Sequence, residues 1–277
     1  MSSIIIPAHN ESSVISCTLS SLLSQVDTND EIFVITNGCT DNTHDVAIKF
    51  NNINLINTEI PSKTNALNIG DSKATSFPKL YMDADIQLAE GSLKKIIDTL
   101  VEGELLAVSP TPKMDFSNSN WFVKAYYDIW LSLPYCRSGM MGAGVYALSE
   151  EGRSRFDIFP NIIADDGYVR ALFNEEERGN VEGAYAIVKA PITLKWLLKI
   201  KIRSRLGQME LAQKYPELLN NEKKPYTDAL YSFLKKPHKW PKLAIYIYIS
   251  IITRFYAKNI LKNISDYQWE KDMSSRK

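Results

Sequence analysis

Short apolar runs alternate with more polar segments through the first third of the chain, and this alternation limits the fold more than any other feature. The runs cover residues 4–6, 32–35, 53–56 and 80–82 of a chain of 277 residues. The runs at 4–6 and 32–35 are typical of strands buried on both faces, and those at 53–56 and 80–82 predict two further strands. Intervening helices arrange such strands in parallel. The pattern therefore predicts an α/β domain with a mostly parallel, Rossmann-like sheet flanked by helices.

The segments between these runs predict helices, and their polar residues predict where the helices begin. We expect Pro7 to end the first strand and Asn10 or Ser12 to cap the helix that follows. Thr40 or Asp41 is expected to begin the second helix. An apolar stripe at helical spacing marks the first helix and consists of Ile15, Leu19, Leu22, Leu23 and Val26.

Polar residues follow three of the predicted strands, at residues 7–11, 37–41 and 83–85. In open α/β sheets, ligands bind at the carboxyl ends of the strands. Asp83 and Asp85 are two residues apart, so an extended chain directs both carboxylates to one side. Two hard oxygen donors suit Mg²⁺ or Mn²⁺ bound to a diphosphate. A polar turn explains the pair alone, but the three loops together favour a ligand site.

Charge divides the chain unevenly although the formal net charge is zero. Residues 195–277 hold 18 Lys and Arg against 7 Asp and Glu, a net charge of +11, and the first 194 residues carry −11. This division indicates an acidic catalytic part and a basic tail that meets phosphate or an anionic membrane surface. A solvated basic face is the alternative interpretation.

The cysteines and the first residues predict the compartment. Cys17, Cys39 and Cys136 show neither a paired spacing nor a metal-binding pattern, which favours reduced thiols in the cytoplasm. The opening residues lack the basic and apolar regions of a signal peptide. We therefore expect a cytoplasmic protein, with the basic tail placing it at the inner face of the membrane.

Four segments resemble, in order and spacing, the nucleotide-sugar motifs of family 2 glycosyltransferases. They are IIIPAHNES from Ile4, VITNGCTDNT from Val34, KTNALNIG from Lys63 and YMDADIQL from Tyr81. The likeness extends to about residue 210. It implies the A-type glycosyltransferase fold and an inverting enzyme that uses a nucleotide-diphosphate sugar and a divalent cation, Mn²⁺ or Mg²⁺. The implied acceptor is a carbohydrate or a lipid-linked molecule in bacterial-type polysaccharide, glycolipid or glycoconjugate synthesis; no nucleic acid is implied.

The resemblance also assigns donor-site residues. Lys63 is implied to lie near the nucleotide, and Asp83 and Asp85 to handle ribose, diphosphate and metal, with Asp85 as the direct ligand. Asn37 stands where many members have the second Asp of Asp-Asp-Gly, so uridine is not fixed as the base. The residues implied to surround the nucleoside are Pro7, Ala8, His9, Glu11 and Asn37.

Two segments of the second half are implied to serve the acceptor. Gly142 and Gly144 lie in a glycine-rich turn that enters a strand, and in the family a similar turn borders both sugars. Asp165 and Asp166 resemble the Glu-Asp motif whose second carboxylate is the catalytic base. The resemblance thus assigns Asp166 as the base and Asp165 as an orienting or helix-start residue. An acid pair favoured by a helix N-terminus explains the same residues without catalysis.

Basic and aromatic residues distinguish the other segments of the second half. Residues 121–135 predict a helix whose aromatic residues mainly serve the core. The alternative is that some of them line the acceptor channel, because Trp and Tyr stack well on sugar rings. Its expected apolar stripe consists of Phe122, Tyr126, Ile129 and Leu133. Family members often cover the donor diphosphate with an arginine-containing segment, and Arg205 is our choice for that role.

The C-terminal extension carries an uncharged stretch at residues 243–253. As a helix this stretch spans about 17 Å, too short for a hydrocarbon core of about 30 Å. Arg254, Lys258 and Lys262 follow at helical spacing. A helix in a membrane interface, a helix in a homodimer contact and a strand at residues 245–249 all remain open.

These observations divide the chain as follows. Residues 1–210 form the catalytic domain, with residues 1–110 as the nucleotide-sugar half and 111–210 as the acceptor half, and residues 211–277 form the extension. A sugar-1-phosphate nucleotidyltransferase is disfavoured because those enzymes resemble a different, glycine-rich opening. A non-catalytic carbohydrate- or nucleotide-binding protein on this fold is disfavoured by the intact carboxylates.

Overall fold

A computed structural model of the chain describes residues 1–133, 136, 139–140, 144–221, 233 and 236–264. Within them, eight strands form one mixed sheet in the order β3-β2-β1-β4-β7-β6-β8-β5. The strands are β1 (Ser3–Ala8), β2 (Glu31–Asn37), β3 (Asn54–Thr58), β4 (Lys79–Met82), β5 (Gln87–Leu88), β6 (Ala107–Asp115), β7 (Val145–Leu148) and β8 (Arg178–Lys189). The helices are α1 (Ile15–Leu23), α2 (Thr43–Ala47), α3 (Lys63–Lys73), α4 (Ser92–Glu102), α5 (Trp121–Trp130), α6 (Glu150–Arg153), α7 (Asp165–Ala171), α8 (Leu194–Lys214) and α9 (Trp240–Leu261).

The first four strands confirm the parallel sheet that the apolar runs predict. β1 lies between β2 and β4 and pairs with both in parallel, with Ile4 opposite Ile32 on one side and Leu80 on the other. β3 adds to β2, also in parallel. β7 pairs antiparallel with β4 and β6, and β5 pairs antiparallel with β8. The carboxyl ends of β1, β2 and β4 therefore lie along one edge of the sheet.

Two predictions about the first loops were wrong. β1 continues through Pro7 to Ala8, because β4 pairs with β1 only as far as Ile5 and Pro7 needs no amide hydrogen on that side. Neither Asn10 nor Ser12 caps α1, whose N-cap is Val14 without a side-chain hydrogen bond. The Asn10 carboxamide oxygen instead accepts the Thr40 amide at 2.6 Å. It thus joins two strand-end loops.

α2 and α5 also differ from expectation. α2 begins at Thr43, later than predicted, and the Asp41 carboxylate accepts the Thr43 amide at 3.0 Å. In α5, Phe122 is 47% exposed and does not belong to the buried stripe. Val123 takes that place because the helix turns its buried side toward a cluster with Leu197 and Ile249. Tyr126 and Tyr127 are buried as expected, whereas Trp121 is 53% exposed.

The chain consists of two compact units. The first comprises Met1–Lys113, Met140–Asn161 and Phe173–Val188, and its core consists of aliphatic residues on the sheet and on the helices that cover it. The second comprises Met114–Gly139, Ile162–Leu172 and the chain from Lys189 onward. Its core joins α5, α8 and α9 and is rich in aromatic side chains.

The apolar stretch near the C-terminus is helical and belongs to α9. Residues 245–249 lie inside this helix, so the strand alternative was wrong. Among the described residues, no helix is long and apolar enough to cross a membrane.

A buried ionic cluster fixes β4 to α3. The Asp71 carboxylate, in α3, accepts hydrogen bonds from the Arg153 guanidinium at 2.6 Å and from the Tyr81 hydroxyl at 2.6 Å, and Lys79 lies 3.3 Å away. Burial raises the pKa of Asp71, but the hydrogen bonds from Arg153 and Tyr81 and the charges of Arg153 and Lys79 outweigh it and hold the pKa below its usual range. Tyr81 belongs to β4, so this cluster steadies the strand that leads to Asp83.

We expect Asp71→Asn to lower the free energy of unfolding by about 3 kcal/mol, because two buried cations lose their anion. Denaturant unfolding at neutral pH measures this loss. In the wild type the contribution is present above about pH 4, the usual pKa of an unfolded Asp, and is lost as the pH falls through the lowered pKa of the folded state.

Asp98→Asn is the control for this prediction, since its pair with Lys94 is exposed and should contribute under about 1 kcal/mol. Equal losses for the two variants would contradict a buried ionic cluster at Asp71.

Candidate active site

The loops after β1 and β2 are joined by Asn37. Its amide nitrogen lies 3.0 Å from the Ala8 carbonyl oxygen and 3.4 Å from that of Ile35. Backbone carbonyls can only accept, so the NH₂ group must face them. The Asn37 carboxamide oxygen is therefore the side-chain atom with which a ligand can bond, and it can only accept.

His9 also links the loop after β1 to the end of β2. Its Nδ1 lies 2.6 Å from the Asn37 backbone oxygen and must carry a hydrogen, because that oxygen accepts. Pro7 and Ala8 are buried at the end of β1, and the buried Glu11 donates its amide to the Thr43 hydroxyl at 2.6 Å.

Asp83 and Asp85 stand just after β4, where the chain turns. The Ile86 amide donates to the Asp83 carbonyl at 3.2 Å, so this segment is a turn and the two carboxylates do not share the face of a strand as expected. The Thr18 hydroxyl donates to the Ala84 carbonyl at 2.8 Å and holds the turn against α1. Both acidic residues are partly exposed.

Lys63 forms an ion pair with Asp83, with its Nζ 2.7 Å from Oδ1. Lys63 is the first residue of α3, and the Ser62 side chain caps that helix by accepting the Asn65 amide at 3.3 Å. A lysine and the positive end of a helix dipole thus lie beside the turn after β4. The ion pair brings together two residues that the resemblance of the sequence motifs assigns to one site.

Gly144 keeps space open beside Asp83. It adopts a φ of +79°, and a Cβ here would lie 3.0 Å from Asp83 Oδ2 and 2.7 Å from Ile86 Cγ1. The Asp83 amide donates to the Gly144 carbonyl at 2.7 Å. Any larger residue would therefore press on the carboxylate. Gly142, its predicted partner at the acceptor side, lies outside the described residues.

The residues after β4 fit a divalent cation that also binds phosphate. In the described part of the chain, no group of three or more His, Cys, Asp and Glu is arranged to hold a metal. Mg²⁺ commonly takes one or two carboxylates and completes its shell with phosphate and water, which is the number of donors offered here. Asp83 pairs with Lys63, and the assignment of Asp85 as the direct ligand stays a prediction.

Asp165 and Asp166 begin α7 in the second unit. Asp165 is only 3% exposed, whereas Asp166 is half-buried and its Oδ1 accepts the Gly167 amide at 2.7 Å. The acid pair thus opens a helix, where the dipole favours negative charge. A substrate can reach the partly exposed Asp166 more easily than the buried Asp165.

α8 holds the segment before this acid pair through two residues that sequence reasoning missed. The Glu210 carboxylate accepts the Ile163 amide at 2.8 Å. Gly207 lies so close that a Cβ would stand 2.9 Å from the Ala164 Cβ and 3.1 Å from its nitrogen. A lone glycine inside a helical pattern was the available signal, since such a glycine often marks a close contact.

We expect Gly207→Ala to lower the transfer rate by about tenfold, because an added Cβ displaces Ala164 and with it Asp166, and small misplacements of catalytic groups are costly. Steady-state consumption of the donor measures the effect.

Gly167→Ala is the matched control. Its Cβ would meet only the Ala164 Cβ at 3.4 Å and Leu211 Cδ2 at 3.6 Å, which are ordinary contacts. Similar rates for the two variants would show that the approach of α8 does not position Asp166.

Arg205 and Lys201 stand one turn apart on α8. Arg205 is half-buried and donates to Gln208 at 3.3 Å. Lys201 lies with its ammonium 3.9 Å from the ring centre of Trp130 and 5.0 Å from that of Tyr127. Burial lowers the pKa of Lys201 to about 8. The role of Arg205 at a diphosphate stays a prediction.

Comparison with protein families and solved structures gives a consistent result. The model of the family "Glycosyl transferase family 2" matches residues 3–143. No curated protein gave a significant match. The mannosyltransferase PcManGT from Pyrobaculum calidifontis, in complex with GDP-Man and Mn²⁺, is 17% identical with a TM-score of 0.63, over 97% of this chain and 76% of that one.

A second solved protein, S. aureus TarS 1–349, is similar in two complexes. With UDP it is 14% identical with a TM-score of 0.53, over 99% of this chain and 94% of that one. With UDP-GlcNAc it is 16% identical with a TM-score of 0.54, over 95% and 75%. At these identities the likeness shows a shared fold.

Proposed function

Since the chain belongs to glycosyl transferase family 2 and is a glycosyltransferase, we propose that it transfers a sugar from a nucleotide-diphosphate donor to an acceptor hydroxyl with inversion at the anomeric carbon. The observation that supports this most is the Lys63–Asp83 ion pair, together with the loops that carry His9 and Asn37. These residues offer a cation, a carboxylate and hydrogen-bonding groups for a base at the carboxyl ends of the parallel strands, where α/β sheets bind ligands. The GDP-Man and UDP-GlcNAc complexes of similar structures support this donor class.

Asn37 supports a preference among bases. Both hydrogens of its amide face backbone carbonyls, so its oxygen is placed to accept a hydrogen from the base. Uracil and guanine offer such a hydrogen on the ring itself, beside a carbonyl, whereas adenine and cytosine offer one only on an exocyclic amino group. We therefore propose a uridine or guanosine donor, with Pro7, Ala8, His9 and Glu11 shaping the nucleoside pocket.

Lys63 and the carboxylates of Asp83 and Asp85 are proposed to bind the diphosphate and its cation. Lys63 and the N-terminus of α3 attract the phosphates, and Asp85, assisted by Asp83, would hold a divalent cation. A bound Mn²⁺ or Mg²⁺ neutralises charge that develops on the departing diphosphate. We propose that Arg205 adds a further cation there, since a guanidinium matches phosphate geometry.

Asp166 is proposed as the catalytic base. Its carboxylate removes the proton of the acceptor hydroxyl while that oxygen bonds to the anomeric carbon and the carbon–diphosphate bond breaks. Asp165 orients this first turn of α7, and Gly142 and Gly144 border the sugars. The proposed acceptor is a carbohydrate or a lipid-linked molecule used to build polysaccharide, glycolipid or glycoconjugate.

The proposed division of labour follows the sequence. Residues 1–110 bind the donor, residues 111–210 bind the acceptor, and the basic extension at residues 211–277 acts outside the chemistry. We propose a peripheral location at the inner face of a membrane, because the extension is basic and Cys17, Cys39 and Cys136 are free thiols. The alternative use of residues 240–262 is a homodimer contact.

A panel of nucleotide sugars tests the proposed function. The purified full chain is incubated with UDP-, GDP-, ADP- and CDP-sugars in Mn²⁺ or Mg²⁺, and released nucleoside diphosphate is measured. We expect slow hydrolysis of one uridine or guanosine donor, abolished by chelator. Hydrolysis of only adenosine or cytidine donors would refute the role of Asn37, and hydrolysis unaffected by chelator would refute the metal site.

A further inference from the structure

The outer face of α9 is apolar and aromatic although it is exposed. It consists of five residues that are 43–63% exposed and recur at helical spacing, namely Trp240, Ile247, Tyr248, Ile251 and Phe255. Arg254, Lys258 and Lys262 stand on the same side toward the C-terminal end and are exposed. We call these eight residues the α9 outer face.

The opposite side of α9 packs into the core of the second unit. Leu243, Ile249, Thr253 and Ala257 are buried. Tyr246 stacks on Tyr126 of α5 with ring centres 5.3 Å apart. One side of the helix thus packs into the core of the second unit, and the outer face is exposed.

The lysines at the start of α9 are paired with a carboxylate, and among the described residues the cations toward its end are not. At its start, Lys239 and Lys242 lie 3.5 Å and 3.0 Å from the Asp128 carboxylate of α5. In the described part of the chain, Arg254, Lys258 and Lys262 form no such pair. Three uncompensated cations therefore border the exposed aromatic residues.

We infer that the α9 outer face lies flat on an anionic lipid surface, with its apolar side chains at the level of the headgroups and Arg254, Lys258 and Lys262 on lipid phosphates. The helix spans about 33 Å, and one-sided apolar helices with flanking cations adsorb in the interface plane. Trp, Tyr and Phe are suited to this layer. The inference depends on the peripheral location proposed above.

Charge complementarity favours lipid over a second copy of the chain. Residues 229–265 contain no Asp or Glu at all. An isologous contact between two α9 outer faces would therefore bring the cations of two helices together, and the described residues of those faces offer no anion to pair with them. An anionic membrane supplies phosphate to each cation and an apolar layer to the residues between them.

Vesicle flotation of the full chain tests the inference. Vesicles of phosphatidylcholine with about one third phosphatidylglycerol are compared with pure phosphatidylcholine. Since each cation near an anionic surface contributes about 1 kcal/mol, we expect the triple variant Arg254→Gln, Lys258→Gln and Lys262→Gln to bind on the order of 100-fold more weakly. The apolar variant Ile251→Ser with Phe255→Ser should bind weakly to both vesicle types.

Ile48→Ser with Ile158→Ser is the matched control, because these isoleucines are 63% and 67% exposed elsewhere on the chain. It should float like the wild type. If the wild type does not float with anionic vesicles, the peripheral location is overturned. If both α9 variants still bind the vesicles, only the role of the α9 outer face is overturned. A dimer in light scattering that Ile251→Ser with Phe255→Ser dissociates, without vesicle binding, would assign the face to a second copy. Donor hydrolysis, measured in parallel without vesicles, reports separately on the proposed chemistry.

Discussion

Asp166→Asn is expected to lower the rate of sugar transfer by on the order of 10²–10⁴, while donor affinity changes little. The amide keeps the size of the carboxylate and can still accept the Gly167 amide through its oxygen. It cannot take the proton of the acceptor hydroxyl, because an amide is hardly basic. Single-turnover transfer and equilibrium donor binding, measured on the same preparation, separate the two effects.

Asp165→Asn is the control that fixes the register of this motif. Asp165 is buried at the start of α7, so its replacement should affect the helix more than the chemistry and cost less activity. If Asp165→Asn proves the more damaging of the two at equal stability, the base has been assigned one residue too late. If neither variant slows transfer, the base lies elsewhere.

Asp85→Ala should remove the dependence of nucleotide binding on a divalent cation. Loss of groups that merely orient a metal ligand typically costs 10–100-fold in affinity or activity, so loss of a direct ligand should cost on the order of 10² or more. Calorimetric titration of nucleoside diphosphate, with Mn²⁺ and with chelator, measures the dependence directly.

Asp83→Asn provides the comparison for this experiment. Asp85 is the proposed direct ligand and Asp83 assists it, so replacing Asp83 should weaken the response to Mn²⁺ less than Asp85→Ala does. A wild type that binds nucleoside diphosphate equally well with and without chelator would contradict a metal site after β4.

The parallel half of the sheet could be predicted because each strand there is specified by its own residues. Residues such as Ile5 and Ile35 sit in short apolar runs that are typical of strands buried on both faces. The apolar stripe of α1 was equally local, and Ile15, Leu19 and Leu22 are buried as expected. Local patterns succeed where burial follows directly from periodicity.

The helix starts and the turn after β4 could not be predicted in this way. Asn10 has the chemistry of an N-cap, but its oxygen is used 30 residues away on the Thr40 amide. Asp83 and Asp85 suggest an extended pair, yet the Thr18 hydroxyl from α1 holds the intervening Ala84 in a turn. Such contacts depend on tertiary packing, which overrides local preference.

The candidate site shows the same division. Motif order predicted that Lys63 and Asp83 belong to one site, and their ion pair agrees with that grouping. Gly207 and Glu210 were missed because their importance comes from the close approach of α8 to Ala164 and Ile163; the lone glycine signals a close contact but does not name the neighbour. A motif identifies residues that touch substrate more readily than those that position them.

The anomeric configuration of the released sugar tests the central claim most directly. An α-linked donor chosen from the panel is hydrolysed with metal ion, and proton NMR follows the sugar before its anomers equilibrate. Direct displacement with Asp166 as the base predicts that the β-anomer appears first, because water attacks from the face opposite the diphosphate. The α-anomer appearing first would contradict inversion and the role of Asp166 as the base.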